Sequence, residues 1–187
     1  MHVFVGMAVL LFGLTLIGCA SSVRPREDDE TALIEMPELI EREDLIPVGA
    51  MSPDFELMDH TGQSFRLSTY RGRPVVVIFY PGDFQPGCTR QLCAMRNAWP
   101  EFKARGFSVV GVNPVSRQRH KRFADHHGFP FPLLSDPPQR VTAAFGCKGL
   151  GGFPIRTVYA IDASGRVALA RRGMPSIGEI LAAISTN

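Results

Sequence analysis

Apolar positions follow two patterns along the chain after residue 73. Residues 74–80 (PVVVIFY) are a continuous β-branched and aromatic run, typical of a strand buried on both faces, and residues 107–114 (FSVVGVNP) predict a second buried strand. Between them, apolar residues recur at helical spacing, at Leu92, Met95, Trp99 and Phe102. This spacing predicts a helix that begins near Cys88 and buries that face. Pro100 should kink or restart the helix, because proline has no N–H for the helical hydrogen bond.

Further alternating and helical segments complete the pattern. Residues 54–68 and 156–172 alternate around short polar turns, which predicts a hairpin in each place. A basic helical stretch covers about residues 116–127, and residues 176–184 (SIGEILAAI) suit a closing helix. This order of elements predicts an α/β domain over residues 47–187. Its expected architecture is the thioredoxin-like fold, a central mixed sheet flanked by helices, with an N-terminal β-hairpin extension.

The amino terminus carries a short apolar run, residues 3–18, that ends in the letters LIGC. The run is short for a membrane span of about 20 residues and is typical of a signal peptide. LIGC resembles a bacterial lipoprotein box, which implies a signal peptide over residues 1–18 and a diacylated Cys19 as lipid anchor. A plain signal peptide and an uncleaved anchor are the alternatives. All three interpretations predict an exported protein. The lipoprotein interpretation further predicts a membrane-anchored protein facing the periplasm or the cell exterior.

Residues 19–46 are predicted to be an acidic tether that holds the domain away from the membrane. Residues 20–46 contain nine acidic residues and three arginines, a net charge of −6, whereas residues 47–187 carry +8. The basic residues of the domain are scattered, and no stripe of interleaved aromatic residues accompanies them. We therefore expect no nucleic-acid partner.

Two of the four cysteines, Cys88 and Cys93, lie five positions apart in the predicted helix. Cys88 stands at a strand-to-helix junction, where the helix dipole and unpaired N–H groups favour the reactive thiolate. Five helical residues separate the Cα atoms by about 8.6 Å, beyond the roughly 7 Å that a disulfide allows. The spacing therefore suits a disulfide that forms after the first turn unwinds. An unrelated pair of core thiols, or a static disulfide in a non-helical segment, would fit the spacing too.

The surrounding segment, residues 79–96 (FYPGDFQPGCTRQLCAMR), resembles the active site of the peroxiredoxins, the alkyl hydroperoxide reductase/thiol-specific antioxidant superfamily. Within that superfamily it is closest to the bacterioferritin-comigratory-protein, or Q-type, subgroup. The subgroup pattern Pro-Gly-Cys-Thr-x-Gln-x-Cys is matched by Pro86, Gly87, Cys88, Thr89, Gln91 and Cys93. The similarity continues through PFPLLSD (130–136), AAFG (143–146) and RTVYAID (156–162).

The resemblance implies a thiol-dependent peroxidase that uses no cofactor and no metal. Cys88 would attack hydrogen peroxide or an organic hydroperoxide and become a sulfenic acid. Cys93 would resolve it to a disulfide, which an external dithiol such as a thioredoxin-like protein reduces. Arg156 matches the arginine that holds the thiolate and the peroxide oxygens. Pro81 matches the proline that shields the site, and Gly87 belongs to the same active-site shell.

Gln85 departs from the family pattern, which has Thr or Ser three residues before the nucleophile. A hydroxyl donates and accepts at one atom, whereas an amide carries its donor and acceptor on separate atoms of a longer side chain. A misplacement of about 1 Å can lower a rate on the order of 100-fold. We therefore expect a weakened or re-tuned peroxidase.

Cys147 has no partner in the pattern and is predicted to be an unreactive thiol. Three histidines on the basic stretch, His120, His126 and His127, have no standard metal-site spacing. The simpler interpretation makes them solvated helix residues.

Two other functions remain open at this point. One is an exported thiol–disulfide oxidoreductase or redox sensor on the same fold. Reductases of that kind carry Cys-x-x-Cys and a cis-proline, whereas here the thiols are Cys-x₄-Cys and Arg156 takes the place of the proline. The other is a non-catalytic lipoprotein that kept the scaffold, for which Gln85 is the best support.

Overall fold

A computed structural model describes residues 39–185 of the chain. The strands are β1 (Glu56–Met58), β2 (Ser64–Arg66), β3 (Val75–Phe79), β4 (Ser108–Asn113), β5 (Leu133–Ser135), β6 (Thr157–Ile161) and β7 (Val167–Arg172). The helices are α1 (Pro86–Asn97), α2 (Trp99–Ala104), α3 (Arg117–His127), α4 (Arg140–Ala144) and α5 (Ile177–Ser185). Single 3₁₀ turns lie at Leu67–Tyr70 and Leu150–Gly152. The predicted signal peptide and Cys19 lie outside the described residues.

Five strands form the central sheet in the order β5-β4-β3-β6-β7. β3 pairs in parallel with β4, which pairs in parallel with β5, whereas β6 runs antiparallel to both β3 and β7. β1 and β2 make a separate antiparallel hairpin in front of the sheet. The predicted mixed sheet with a hairpin extension is therefore confirmed.

β3 lies at the centre of the sheet because all five of its residues are apolar and buried. Its side chains alternate between the two faces, as the pleat of a strand requires. Val76 and Ile78 pack in one cluster with apolar side chains of α1, α2, α3 and α5. Val75, Val77 and Phe79 pack in the other with residues of the β1–β2 hairpin and α4. The break between α1 and α2 falls just before Pro100, where proline predicted a kink or restart.

The last residues of the predicted tether, 39–46, run along the domain. Ile46 is buried, and its N–H donates to the Tyr159 hydroxyl over 3.1 Å. The Arg42 N–H donates to the carbonyl of Ala143 over 3.0 Å. Within the described range, no helix combines the length and the apolar character that crossing a bilayer requires.

Candidate active site

Cys88 lies in the first turn of α1, directly after the connection from β3. Gln85 is the N-cap residue, Pro86 and Gly87 open the helix, and Cys88 follows. The helix thus begins two residues before the predicted start. Pro86 suits this position because its missing N–H would have no partner in the first turn. Cys88 is 0% exposed and packs against the core beneath α1.

Arg156 contacts the Cys88 thiol across the sheet. β3 and β6 are antiparallel with Phe79 opposite Thr157, so the residue before β6 stands beside the end of β3. From there, Arg156 Nη2 lies 3.3 Å from Cys88 Sγ, and Arg156 Nη1 donates to the Gly87 carbonyl over 2.8 Å. A permanently charged group at this distance stabilises a thiolate. The structure therefore brings Arg156 next to Cys88 and Gly87, which lie 68 and 69 positions before it in the sequence.

Gly87 and Gln91 shape the place that Arg156 occupies. A Cβ on Gly87 would lie 3.0 Å from Arg156 Nη2, so a larger residue would push the guanidinium away from the thiol. Gln91 Oε1 accepts from Arg156 Nη1 over 3.2 Å. The Gln91 Nε2 atom is buried and finds no hydrogen-bond partner in the described part of the chain. The sequence had matched Gln91 to the family pattern without giving it a role; its position three residues after Cys88, one helical turn away, was the available signal.

Gln85 faces the thiol with its acceptor atom. Its Oε1 lies 3.7 Å from Cys88 Sγ, in position to accept from the thiol, and the residue is exposed. The Cys88 sulfur thus meets an acceptor oxygen of Gln85 and a charged donor of Arg156.

The other two described cysteines differ in their surroundings. Cys93 is a free, half-buried thiol on the continuous helix α1, five residues after Cys88. Cys147 is free and buried, and burial raises the pKa of its thiol to about 12. At neutral pH it stays protonated, which agrees with the predicted unreactive thiol. Pro81, the predicted shield, is half-buried at the end of β3.

A buried polar cluster, which the sequence did not reveal, lies under the β3–α1 connection. We call Asp83, Tyr80, Asn113 and His120 the Asp83 cluster. Asp83 Oδ1 accepts from the Tyr80 hydroxyl and from Asn113 Nδ2, each over 2.9 Å, and Asp83 Oδ2 lies 3.0 Å from His120 Nδ1. Burial, with the Asp83 carboxylate nearby, raises the pKa of Tyr80 well above its usual value, so the phenol stays a neutral donor.

The prediction that His120 is a solvated helix residue is wrong. The residue is 0% exposed, and its two ring nitrogens face Asp83 Oδ2 and the carbonyl of Leu134, the latter over 3.2 Å. Both partners are acceptor oxygens, so each ring nitrogen of His120 faces a hydrogen-bond acceptor. The prediction failed because the charged neighbours of His120 in RQRHKR occupy the exposed face of α3, whereas His120 occupies the buried face.

Comparisons with known proteins agree with this geometry. The AhpC/TSA family pattern matches residues 48–170. The chain belongs to the AhpC/TSA family. It is 42% identical over 123 residues to a chloroplastic peroxiredoxin Q of Sedum lineare, with 65% of this chain and 66% of that protein covered. It thus spans slightly less than two thirds of this relative, and 58% of a chloroplastic peroxiredoxin Q of Suaeda salsa, to which it is 40% identical over 65% of its own length.

Solved structures of family members confirm the fold. The crystal structure of the peroxidoxin BcpB of Mycobacterium tuberculosis matches with a TM-score of 0.70 and 35% identity, covering 75% of this chain and 97% of that one. A peroxiredoxin Q of Xanthomonas campestris matches with a TM-score of 0.66 and 26% identity, covering 78% and 97% of the two chains. The resemblance to Q-type peroxiredoxins is confirmed.

The predicted location is wrong. The sequence had indicated an exported, membrane-anchored lipoprotein facing the periplasm or the cell exterior. The plant peroxiredoxins Q to which the chain is similar are named as chloroplastic proteins, a different address from that of an exported lipoprotein. The four letters LIGC were a weak basis, because a short motif of common residues occurs by chance.

Proposed function

We propose that this peroxiredoxin is a thiol-dependent peroxidase that reduces hydrogen peroxide or organic hydroperoxides. The contact between Arg156 Nη2 and Cys88 Sγ, 3.3 Å long, carries the proposal. It places a fixed positive charge on a thiol in the first turn of a helix, where charge develops during attack on a peroxide. The proposed catalytic domain covers residues 47–187.

The first step is oxidation of Cys88. The thiolate attacks one peroxide oxygen, so an S–O bond forms while the O–O bond breaks. The sulfur loses two electrons and becomes a sulfenic acid, and the leaving oxygen takes a proton and departs as water or an alcohol. Arg156 stabilises the negative charge on that oxygen, Gly87 leaves room for the guanidinium, and Pro81 shields the sulfur from bulk water.

The second step links the two thiols. The Cys93 sulfur attacks the Cys88 sulfenic acid, an S–S bond forms, and hydroxide leaves and is protonated to water. Five residues of intact α1 hold the two Cα atoms farther apart than a disulfide allows, so its first turn must unwind first. An external dithiol of the thioredoxin-like class then attacks the disulfide, becomes oxidised itself and returns both cysteines to thiols.

Peroxide consumption in the presence of a dithiol reductant tests the proposal. We expect steady turnover by the wild type and none by Cys88→Ser. Cys93→Ser should consume about one equivalent of peroxide and then stop, with a sulfenic acid at Cys88 that a specific probe traps. Cys147→Ser is the matched control and should turn over at the wild-type rate, since its thiol is protonated at neutral pH. Turnover by Cys88→Ser would overturn the assignment.

We propose further that Gln85 slows the first step. A hydroxyl at this position would donate to the thiolate, where the Gln85 carbonyl oxygen now faces the sulfur. In a Cys93→Ser background, Gln85→Thr should therefore oxidise Cys88 about ten-fold to 100-fold faster than the parent. Stopped-flow measurement of the single oxidation isolates this step. Equal rates would mean that the amide serves as well as the hydroxyl.

A further inference from the structure

The chain just before Cys88 is held in an unfavourable way. Phe84 has a φ of 62°, a left-handed conformation that strains a residue with a bulky side chain. Gln85, the N-cap residue of α1, makes no side-chain capping hydrogen bond within residues 39–185. The N–H groups of the first helical turn have no partners inside the helix and depend on such a cap. Strain and a missing cap thus meet within two residues, at the start of the helix that carries both active thiols.

The chain immediately upstream is, in contrast, firmly attached. The side-chain oxygens of Asp83 contact Tyr80, Asn113 and His120 over 2.9–3.0 Å, and Arg119 Nη2 donates to its carbonyl over 3.3 Å. These partners come from β4, α3 and the end of β3, so they tie Asp83 to the sheet and to a second helix. The side chain of Asp83 is fully buried.

We propose that Phe84 and Gln85 form a hinge about which the first turn of α1 unwinds, and that the Asp83 cluster fixes the upstream limit of this motion. This inference rests on the proposed function, since it assigns the hinge to the step that joins Cys88 to Cys93. Unwinding relaxes the left-handed Phe84 and breaks no side-chain cap. The contacts that it must break are those of Arg156 with Gly87 and Cys88 and the packing of the Cys88 side chain. The cluster keeps Pro81 and the end of β3 in place, so that the turn can refold around Arg156 after the disulfide is reduced.

Gln85 is thus a positioning residue for the resolving step. Its effect there is opposite to its proposed effect on the oxidation step. A hydroxyl at position 85 would accept from the N–H of Gly87 or Cys88 and hold the first turn closed. The same hydroxyl would also speed the attack on peroxide. One substitution should therefore accelerate the first step and slow the second.

Amide hydrogen exchange on the reduced protein tests the hinge without any peroxide. Gln85→Thr adds a capping hydroxyl, and Gln85→Val is its control because valine has the shape of threonine but no hydroxyl. We expect exchange at Cys88 and Thr89 to be about five-fold slower in Gln85→Thr, the factor that about 1 kcal/mol of capping free energy represents. Gln85→Val should exchange like the wild type. Equal exchange in the Thr and Val variants would overturn the proposal.

The rate of disulfide formation provides the second measurement. Reduced protein receives one equivalent of peroxide, and samples quenched with a thiol-alkylating reagent are read by mass spectrometry. Once the sulfenic acid has formed, its conversion to the Cys88–Cys93 disulfide should be about five-fold slower in Gln85→Thr than in Gln85→Val. If conversion is equally fast in both, the hinge is wrong and the peroxidase stands. If Cys88 does not react with peroxide at all, the peroxidase is wrong, and hydrogen exchange alone decides on the hinge.

Discussion

Two strand-to-helix connections of this peroxiredoxin, β3 to α1 and β4 to α3, invite comparison. β3 and β4 are parallel neighbours, so both helices begin at the same edge of the sheet. The connections also contact each other, because Asn113 at the end of β4 and His120 on α3 both bind Asp83. The two helix starts are nevertheless built differently.

Helix α3 is closed at both ends. The Ser116 side chain accepts from the N–H of Arg119 over 3.4 Å, and Gly128 ends the helix with a φ of 63°, a conformation that glycine adopts without strain. α1 begins instead with Gln85 and a left-handed Phe84. The helix without reactive groups has the stable start, and the helix with the thiols has the weak one. The start of α1 is therefore less stabilised than the start of α3, and α1 is the helix that the proposed chemistry requires to open.

Among the changes considered, removing the Asp83 carboxylate, which ties the two connections together, should lower the free energy of unfolding most. Asp83→Ala leaves the buried polar atoms of His120, Tyr80 and Asn113 without the carboxylate that they share. We expect a loss of about 3–5 kcal/mol in the free energy of unfolding, measured by urea denaturation. Hydrogen exchange should also rise throughout residues 80–85, because the upstream limit of the hinge is gone.

A double-mutant cycle is the control for this prediction. His120→Ala removes the imidazole, so the double variant Asp83→Ala/His120→Ala leaves neither partner of this contact buried without the other. The double variant should lose at least about 1 kcal/mol less than the sum of the two single losses. Additive losses would show that Asp83 and His120 do not act as a pair.

The opposite change on α3 gives a smaller effect. Ser116→Gln removes the capping hydroxyl and makes the start of α3 resemble that of α1. We expect a loss of about 1 kcal/mol in the free energy of unfolding, and about five-fold faster hydrogen exchange in the first turn of α3. The rate of Cys88–Cys93 disulfide formation should not change. Ser116→Thr keeps a hydroxyl and should behave like the wild type; if it loses as much as Ser116→Gln, capping does not explain the difference.

The sequence predicted the fold well where one local pattern decides the structure. The part of the run at 74–80 that forms β3, Val75–Phe79, is apolar at every position, and only a strand covered on both faces of a sheet satisfies such a run. The position of Cys88 was predictable for the same reason, since a strand-to-helix junction with Pro86 and Gly87 specifies a helix start. Arg156 was found through resemblance alone, because its contact with Cys88 depends on the register between β3 and β6.

The Asp83 cluster could not be predicted in the same way. Asp83 and His120 are 37 residues apart on different elements, and their pairing depends on how α3 packs against the sheet. Local composition favoured a solvated His120, because four of the six residues in RQRHKR are Arg or Lys. The missing N-cap of α1 could have been predicted from the sequence, since glutamine is not among the residues that cap helices well. The left-handed conformation of Phe84 could not, because nothing in a phenylalanine side chain favours it.

Acid should weaken the contacts that hold β5 near α3 and leave the start of α1 unchanged. β5 is held on this side by two histidines: His60 Nδ1 accepts from the Leu133 N–H over 3.1 Å, and His120 Nε2 lies 3.2 Å from the Leu134 carbonyl. Burial lowers the pKa of His60 below its usual 6.5, because loss of water disfavours the charged ring. The neutral ring is also the form that can accept from the Leu133 N–H. Among the charged groups near His60, two raise its pKa, Asp59 and Asp125, and two lower it, His120 and Lys121.

The sign of the effect follows from the lowered pKa. The unfolded chain binds a proton at His60 more readily than the folded protein, so the free energy of unfolding falls as the pH falls through 6.5 towards the folded value. Urea midpoints at about pH 7.5 and about pH 5.5 should show this loss in the wild type, and a smaller loss in His60→Gln, which does not titrate there. Hydrogen exchange at Leu133 should rise with acid relative to the intrinsic rate, while the start of α1 keeps its protection. An equal loss in both proteins would assign the acid sensitivity to titratable groups other than His60.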